Sequence, residues 1–264
     1  MIISISKFLL ACFYKPIESA GKSQVPKGPV LFVCNHLNGL IDPFVMMVVL
    51  NRHIYLTAKN TLAKNIFLSF LMKKAKVITF HRAKDREKSA KKLREQNEIA
   101  LKSCEEVLSK GKSLCIFPEG ISHNKTQLQP LKNGAARMAL GYIEAYQNNP
   151  PLQIVPVGLF FDQKFSFRSQ VLIQFGSPMD IGSWRKKNKE ASASQLTTVI
   201  EEKMDHTLVS VDRKRESLLM SWTAKLILTA AKAPAPLGSQ KVLFKEVIRN
   251  MDAIKQAYYQ YQNH

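Results

Sequence analysis

At 264 residues, with 45% hydrophobic and 22% charged residues, the chain has the composition of a globular protein able to bury a sizeable core. Its 39 Lys and Arg against 20 Asp and Glu give a formal charge of +19, which calls for a polyanionic partner, either nucleic acid or an anionic lipid surface. Cys12, Cys34, Cys104 and Cys115 form no Cys-x-x-Cys pair and no zinc-like Cys/His cluster, so a reduced, cytosol-facing protein fits better than a disulfide framework or a zinc site.

The N-terminal stretch Met1 to Tyr14 is apolar, interrupted by Lys7 and closed by Lys15-Pro16. It falls short of the roughly 20 apolar residues a spanning helix needs and has no charged start for a signal peptide. It reads equally as a helix lying in a membrane interface or as a core helix. Pro29 to Cys34 is a short continuous apolar run, the pattern of a strand buried on both faces. Asp42-Pro43 has the form of a helix N-cap and first turn, opening a helix over Pro43 to Leu50. Ile54 to Ala58 and Val77 to Phe80 are weaker strands, with an apolar-sided helix over Leu62 to Met72 between them.

Lys88 to Lys110 repeats apolar residues at helical spacing and is stopped by Gly111. Ser113 to Phe117 is a second strong strand, Asn133 to Gln147 a helix, and Ile154 to Phe161 and Val171 to Phe175 two further strands. Strands alternating with helices predict an α/β fold with a mixed, largely parallel sheet flanked by helices. Beyond about Asp180 the composition changes: Ser183 to Gln195 is polar and basic and reads as a loop. Helices are then expected over Ala193 to Val211, Arg215 to Lys232 and Lys241 to Gln260, a helical C-terminal extension.

Two blocks carry chemistry. The first, Asn35-His36-Leu37-Asn38-Gly39-Leu40-Ile41-Asp42, follows the first strong strand. A loop that folds back brings residues six apart together. A neutral imidazole, with a reference pKa of about 6.5, is a general base near neutrality. A carboxylate on its other nitrogen fixes the tautomer and stabilises the imidazolium. No Gly-x-Ser-x-Gly elbow supplies a nucleophile, so a substrate hydroxyl would attack directly. The plainer alternatives are a satisfied loop histidine and a helix-capping aspartate. The second block, Phe117-Pro118-Glu119-Gly120-Ile121-Ser122-His123, turns sharply at the end of a strand, where open α/β sheets build their sites. Lys125 and Lys132-Asn133-Gly134 follow, and a lysine beside helix N-terminal amides suits an anion such as phosphate.

Taken together these blocks resemble the glycerophospholipid acyltransferase family, the PlsC-like lysophosphatidate and glycerol-phosphate acyltransferases. Asn35-His36 with Asp42 is similar to its Asn-His-x4-Asp motif, and Phe117 to Gly120 to its Phe-Pro-Glu-Gly motif. Val77 to Arg82 resembles the second block, and Ile154-Val155-Pro156-Val157 the fourth. The match runs in order over residues 30 to 160. Many members continue Phe-Pro-Glu-Gly with Thr-Arg-Ser, whereas Ile121-Ser122-His123 and the following Gln129 to Ala136 look more like the glycerol-3-phosphate/dihydroxyacetone-phosphate branch.

The resemblance implies a PlsC-like fold with residues 21–182 as the acyltransferase domain; the apolar stretch 1–20 is expected as a membrane-interface helix, and 183–264, which resembles no motif of the family, as the helical extension. It implies acyl transfer from acyl-coenzyme A or acyl carrier protein to a hydroxyl of glycerol phosphate or a lysophospholipid. His36 would be the base and Asp42 its partner, with Asn35, Arg82, Glu119, Gly120, Ser122 and Lys132 on the substrate side. Arg82 would hold the acceptor phosphate, and Glu119 would order either the acceptor side or the turn itself. Neither a metal nor a cofactor beyond the thioester co-substrate is implied. The expected setting is a peripheral or monotopic protein on the cytoplasmic face of an anionic membrane.

The ten Lys and Arg between Lys73 and Arg94, against only Asp85 and Glu87, suit anionic lipid, an acidic carrier or the phosphates of coenzyme A, or are a solvated helix face. A nucleic-acid partner has no aromatic platform or recognised motif to support it. Gly111-Lys112-Ser113 precedes a strand where a P-loop would follow one. A thiol hydrolase using Cys34 and a catalytically silent membrane adaptor of the same fold are the remaining alternatives.

Overall fold

The computed structural model describes residues 2–39, 41–60, 69, 72, 76–81, 90–123, 127–161 and 165–208. The chain divides into two compact units, Met1–Asn124 with Gln129–Thr207, and Lys125–Leu128 with Leu208–His264. Arg82, Lys125, most of the helix expected over Leu62 to Met72, and the helices expected beyond Val211 lie outside the described residues.

The described elements are α1 (Ile2–Phe13), β1 (Glu18–Ala20), β2 (Val30–Cys34), α2 (Ile41–Leu50), β3 (Tyr55–Lys59), β4 (Ile78–Phe80), α3 (Ala90–Ser109), β5 (Ser113–Ile116), α4 (Gly134–Ala145), β6 (Gln153–Phe161), β7 (Val171–Phe175), β8 (Met179–Asp180), α5 (Ile181–Lys187) and α6 (Ala193–Thr207). The strands form one sheet in the order β1-β7-β6-β2-β5-β3-β4, with β8 pairing β6. β2 runs parallel to both β5 and β6, and β3 is parallel to β5 and β4. The exceptions are β7 and β8, which pair antiparallel with β6, and β1, which runs parallel to β7. The sheet is therefore mixed and largely parallel, as its sequence pattern predicts.

The continuous apolar run of β2 reflects its place: all five residues are fully buried between two strands and two helical layers. Val30, Phe32 and Cys34 face the layer holding Leu10 and Tyr14 at the end of α1 and Val45, Met46 and Met47 of α2. The opposite face is covered by α3, α4 and α6, which pack on the central strands β5, β2 and β6. Removing the largest of these fully buried side chains, as in Phe32→Ala, would cost about 3–5 kcal/mol.

Two expectations change. Residues 183–195 are not a continuous loop: α5 occupies Ile181–Lys187, capped by Asp180 Oδ1 accepting from the Ser183 N–H at 2.7 Å, and α6 begins at Ala193. A side-chain cap compensates for the polar, Gly-containing composition that reads as loop. Leu196, Ile200 and Met204 bury the inner face of α6, so the unit that holds the sheet runs on to Thr207. Helix α2 starts at Ile41, which places Asp42 inside the first turn and not at the cap. Its carboxylate turns back instead, accepting from the Asn38 N–H at 2.9 Å, and Pro43 fits a first turn that needs no N–H from it.

Candidate active site

Because β2, β3, β4 and β5 are mutually parallel, their C-terminal ends open at one edge of the sheet. The chain leaves β2 into Asn35-His36, β5 into Phe117-Pro118-Glu119-Gly120, β3 at Lys59 and β4 into His81. Topology alone thus gathers segments up to 83 residues apart, as the separation of His36 and Glu119 shows. A cavity of about 710 Å³ sits there, lined by His36, Gly120, Ser122 and Lys132, with Lys59, His81, Asn97 and Arg137 from neighbouring elements and Leu56, Phe80, Leu101 and Phe117 as apolar wall.

His36 is held from several directions. Its Nδ1 lies 2.9 Å from Asp42 Oδ2, and the Asp42 side chain is fully buried while that of His36 keeps 19% exposure. The ring stacks on Phe117 with centroids 4.1 Å apart and an interplanar angle of 22°. Its backbone N–H donates to Glu119 Oε1 at 3.1 Å, and its carbonyl accepts from the His123 N–H at 3.1 Å. The carboxylate on Nδ1 selects the tautomer with a proton there, leaving Nε2 with a lone pair.

The same loop is tied to α1. The Asn38 amide donates to the Tyr14 hydroxyl at 3.0 Å, and burial raises the pKa of that hydroxyl, with the Asn38 hydrogen bond opposing. Asn35 has a different task. Its Nδ2 donates to the Leu159 carbonyl at 3.1 Å and its Oδ1 accepts from the Leu159 N–H at 2.7 Å. The side chain therefore imitates one more rung of the β2–β6 ladder and does not line the cavity.

Glu119 is also buried. Besides His36 N–H, its carboxylate accepts from the Gln129 N–H at 3.2 Å and contacts His123 Nε2. Of the two tasks open to Glu119, ordering the turn is the one this geometry fits. Gly120 takes φ +73, in the left-handed region, and a Cβ there would lie 2.7 Å from Lys132 Nζ. The turn is closed by the Gly120 N–H to Phe117 carbonyl bond at 3.0 Å and the Lys132 N–H to Pro118 carbonyl bond at 2.9 Å.

His36, Gly120, Ser122 and Lys132 thus meet at the cavity, Asp42, Asn35 and Glu119 support it from beneath, and Arg82 lies outside the described residues. Lys59, Asn97 and Arg137 escape a reading by motif. Lys59 is legible in principle as a polar residue at the carboxyl end of a parallel strand. Asn97 clasps the backbone of His81, accepting from its N–H at 2.9 Å and donating to its carbonyl at 3.0 Å, and Arg137 contacts Glu98. Cys34 sits beneath the site with its thiol pushed well up, first by burial and then by Cys115, Asp42 and Glu119, so it stays protonated and is no nucleophile.

A sheet edge that joins an imidazole–carboxylate pair to a cavity with an apolar wall and several cations can activate a hydroxyl beside a bound anion. The chain belongs to the acyltransferase family, whose model matches residues 16–159. It is 32% identical over 142 residues to glycerol-3-phosphate O-acyltransferase 1 of Saccharomyces cerevisiae, covering 50% of this chain and 18% of that protein. It is 30% identical over 128 residues to glycerol-3-phosphate O-acyltransferase 2 of the same yeast, covering 46% and 17%. The chain therefore spans less than a fifth of the length of these relatives. The crystal structure of the 1-acyl-sn-glycerophosphate acyltransferase PlsC from Thermotoga maritima superposes with a TM-score of 0.57 over 81% of this chain and 79% of that one, at 15% identity, which establishes a shared fold.

Proposed function

We propose that the chain transfers a fatty acyl group from an acyl thioester, acyl-coenzyme A or acyl carrier protein, to a hydroxyl of a phosphorylated glycerol. The observation that carries this reading is the His36 Nδ1–Asp42 Oδ2 pair at 2.9 Å beside the cavity, with Nε2 left as the base. Nε2 takes the proton of the acceptor hydroxyl while Asp42 stabilises the imidazolium. The alkoxide oxygen attacks the thioester carbonyl, the C–S bond of the resulting tetrahedral intermediate breaks, and the imidazolium returns its proton to the departing thiolate. No covalent enzyme intermediate is formed.

The cavity divides into an apolar wall for the acyl chain (Leu56, Phe80, Leu101) and a cationic rim for phosphate (Lys59, Lys132, Arg137). Arg82 is assigned to the same phosphate by family resemblance. Among phosphorylated glycerols, glycerol 3-phosphate is the acceptor best supported, because two yeast relatives named for it are 32% and 30% identical to this chain over 142 and 128 residues.

The work is assigned to a membrane surface on its cytoplasmic face, in keeping with four free thiols and the +19 charge. No described helix is long and apolar enough to cross a membrane. Helix α1 packs Leu10 inward but leaves Ile5, Phe8 and Leu9 exposed, and the turn leading into β7, beside α1, exposes Phe165 and Phe167. That turn is bolted to α1 by the Arg168 N–H to Phe13 carbonyl bond at 2.7 Å and the Lys15 N–H to Ser169 carbonyl bond at 3.0 Å. Apolar rings beside Lys7, Lys15 and Arg168 suit an anionic lipid interface.

The test is acyl transfer by purified protein in mixed micelles, offering acyl-coenzyme A or acyl carrier protein with glycerol 3-phosphate, dihydroxyacetone phosphate and lysophospholipids, wild type beside H36A. Activity with glycerol 3-phosphate that H36A abolishes is expected. An equally active H36A would reject the mechanism, and inactivity with every pair would turn the reading toward a silent membrane adaptor.

A further inference from the structure

We infer that His123 is a positioning residue of the catalytic centre, closing a three-residue ring of hydrogen bonds that fixes the backbone of His36; the inference rests on His36 being the base proposed above. The ring is continuous. The His36 N–H donates to Glu119 Oε1 at 3.1 Å, Glu119 Oε2 contacts His123 Nε2, and the His123 N–H donates to the His36 carbonyl at 3.1 Å. One short segment therefore grips both backbone edges of the base, one through a buried carboxylate and the other through a main-chain donor.

The position of His36 Nε2 is set by its side-chain torsions and by its backbone. The torsions are fixed by the contact with Asp42 and by the stack on Phe117. The backbone is fixed by this ring. Glu119 carries the load, since its side chain is fully buried and it accepts from the main chain of His36 and of Gln129, 10 residues along. A buried carboxylate holds such a position only while its oxygens stay satisfied. The imidazole of His123, with 10% exposure, is the side chain that meets it.

His123 itself does not line the cavity, whereas the adjacent Ser122 does. It therefore acts through His36 and not by touching substrate. An imidazole Nε2–H donates to the carboxylate, a glutamine amide donates over a similar reach, and a phenylalanine fills the space without a donor.

The experiment compares wild type, H123Q and H123F by steady-state acyl transfer, melting temperature and hydrogen–deuterium exchange at the His36 amide. H123F is expected to lose about 10- to 100-fold in kcat with the acceptor KM within about two-fold, the range for a base displaced by an ångström or less. H123Q should keep most of kcat. His36 amide exchange should speed up in H123F and stay near wild type in H123Q. Unchanged kcat and exchange in H123F would overturn the inference. So would a loss confined to KM, which would make His123 a substrate contact, or an H123Q as impaired as H123F. Should H123F fail to fold, H123A, which removes the donor without added bulk, serves in its place. The exchange measurement needs no substrate. An inactive wild type would therefore defeat the acyl-transfer reading while leaving the ring itself open to confirmation or rejection.

Discussion

Nδ1 of His36 lies 2.9 Å from Oδ2 of Asp42, and that same oxygen accepts the Asn38 N–H at 2.9 Å. One carboxylate oxygen thus sets both the tautomer of the ring and the path of the loop between the two residues. Replacing Asp42 by asparagine keeps the size of the side chain but removes its charge, and the amide turns either its oxygen or its NH2 toward both donors at once. The D42N variant should fold and lose on the order of 10²- to 10⁴-fold in kcat, through a wrong tautomer and an unsupported imidazolium. Single-turnover acyl transfer measures this directly, and a loss below about ten-fold would show that Asp42 serves the loop and not the chemistry.

The amide of Asn35 meets Leu159, 124 residues away, through both backbone groups of that residue. Its role is accordingly structural, and N35L should leave the buried N–H and carbonyl of Leu159 unpaired. A cost of about 2–4 kcal/mol is expected, two unsatisfied groups at ~1–2 kcal/mol each. Urea unfolding reads it. N35D should recover only part, because a carboxylate accepts from the N–H but has no donor for the carbonyl.

These two residues show what was and was not legible in the sequence. β2 and β5 announce themselves as apolar runs because central parallel strands are buried on both faces, and His36 and Asp42 are legible because a base and its carboxylate must sit close in a local loop. Asn35 and Glu119, by contrast, look like site residues in a motif. Their partners lie 124 and 83 residues away, so their use as backbone clamps appears only once the strands are aligned. β1 and β8 escape a reading of the chain because three residues of Glu-Ser-Ala and two of Met-Asp have no pattern of their own; they exist by pairing with β7 and β6. Helix α5 was masked by glycine and charge, although Asp180 three residues before Ser183 carries a capping signal.

Gly120 combines φ +73 with Lys132 Nζ at 2.7 Å from where a Cβ would stand. G120A should cost about 1–2 kcal/mol for the left-handed backbone and displace the lysine from the cavity rim. If Lys132 binds the acceptor phosphate, the acceptor KM rises while the KM for the thioester holds. A rise in both would point instead to collapse of the whole turn.

Cys12 is exposed, while Cys34, Cys104 and Cys115 are buried. Burial raises the pKa of all three buried thiols, so at pH 8 they remain neutral and shielded. Iodoacetamide should therefore label one thiol per native molecule, at Cys12, without loss of activity. Rapid labelling at Cys34 with inactivation would restore a thiol mechanism.

The exposed rings of α1 and the adjoining turn mark where the proposed membrane contact would fall. Phe8 is 67% exposed, Phe165 78% and Phe167 69%, and Phe167 packs edge-on against Phe13 with centroids 6.0 Å apart. Two backbone hydrogen bonds join the turn to the helix, so these rings belong to one surface element and not to two independent ones. Each ring that enters an interface contributes up to roughly 1.5–3 kcal/mol, and the lysines and Arg168 alongside add attraction to anionic headgroups. The pair F165S/F167S should reduce binding to vesicles containing anionic phospholipid by at least ten-fold, with F8S/L9S acting in the same direction. Neither pair touches the cavity or the His36 loop, so activity on a substrate dispersed as monomers should persist. Unaltered vesicle binding in both pairs would remove this surface from the membrane contact, and a change of oligomeric state in its place would mark it as a contact between copies of the chain.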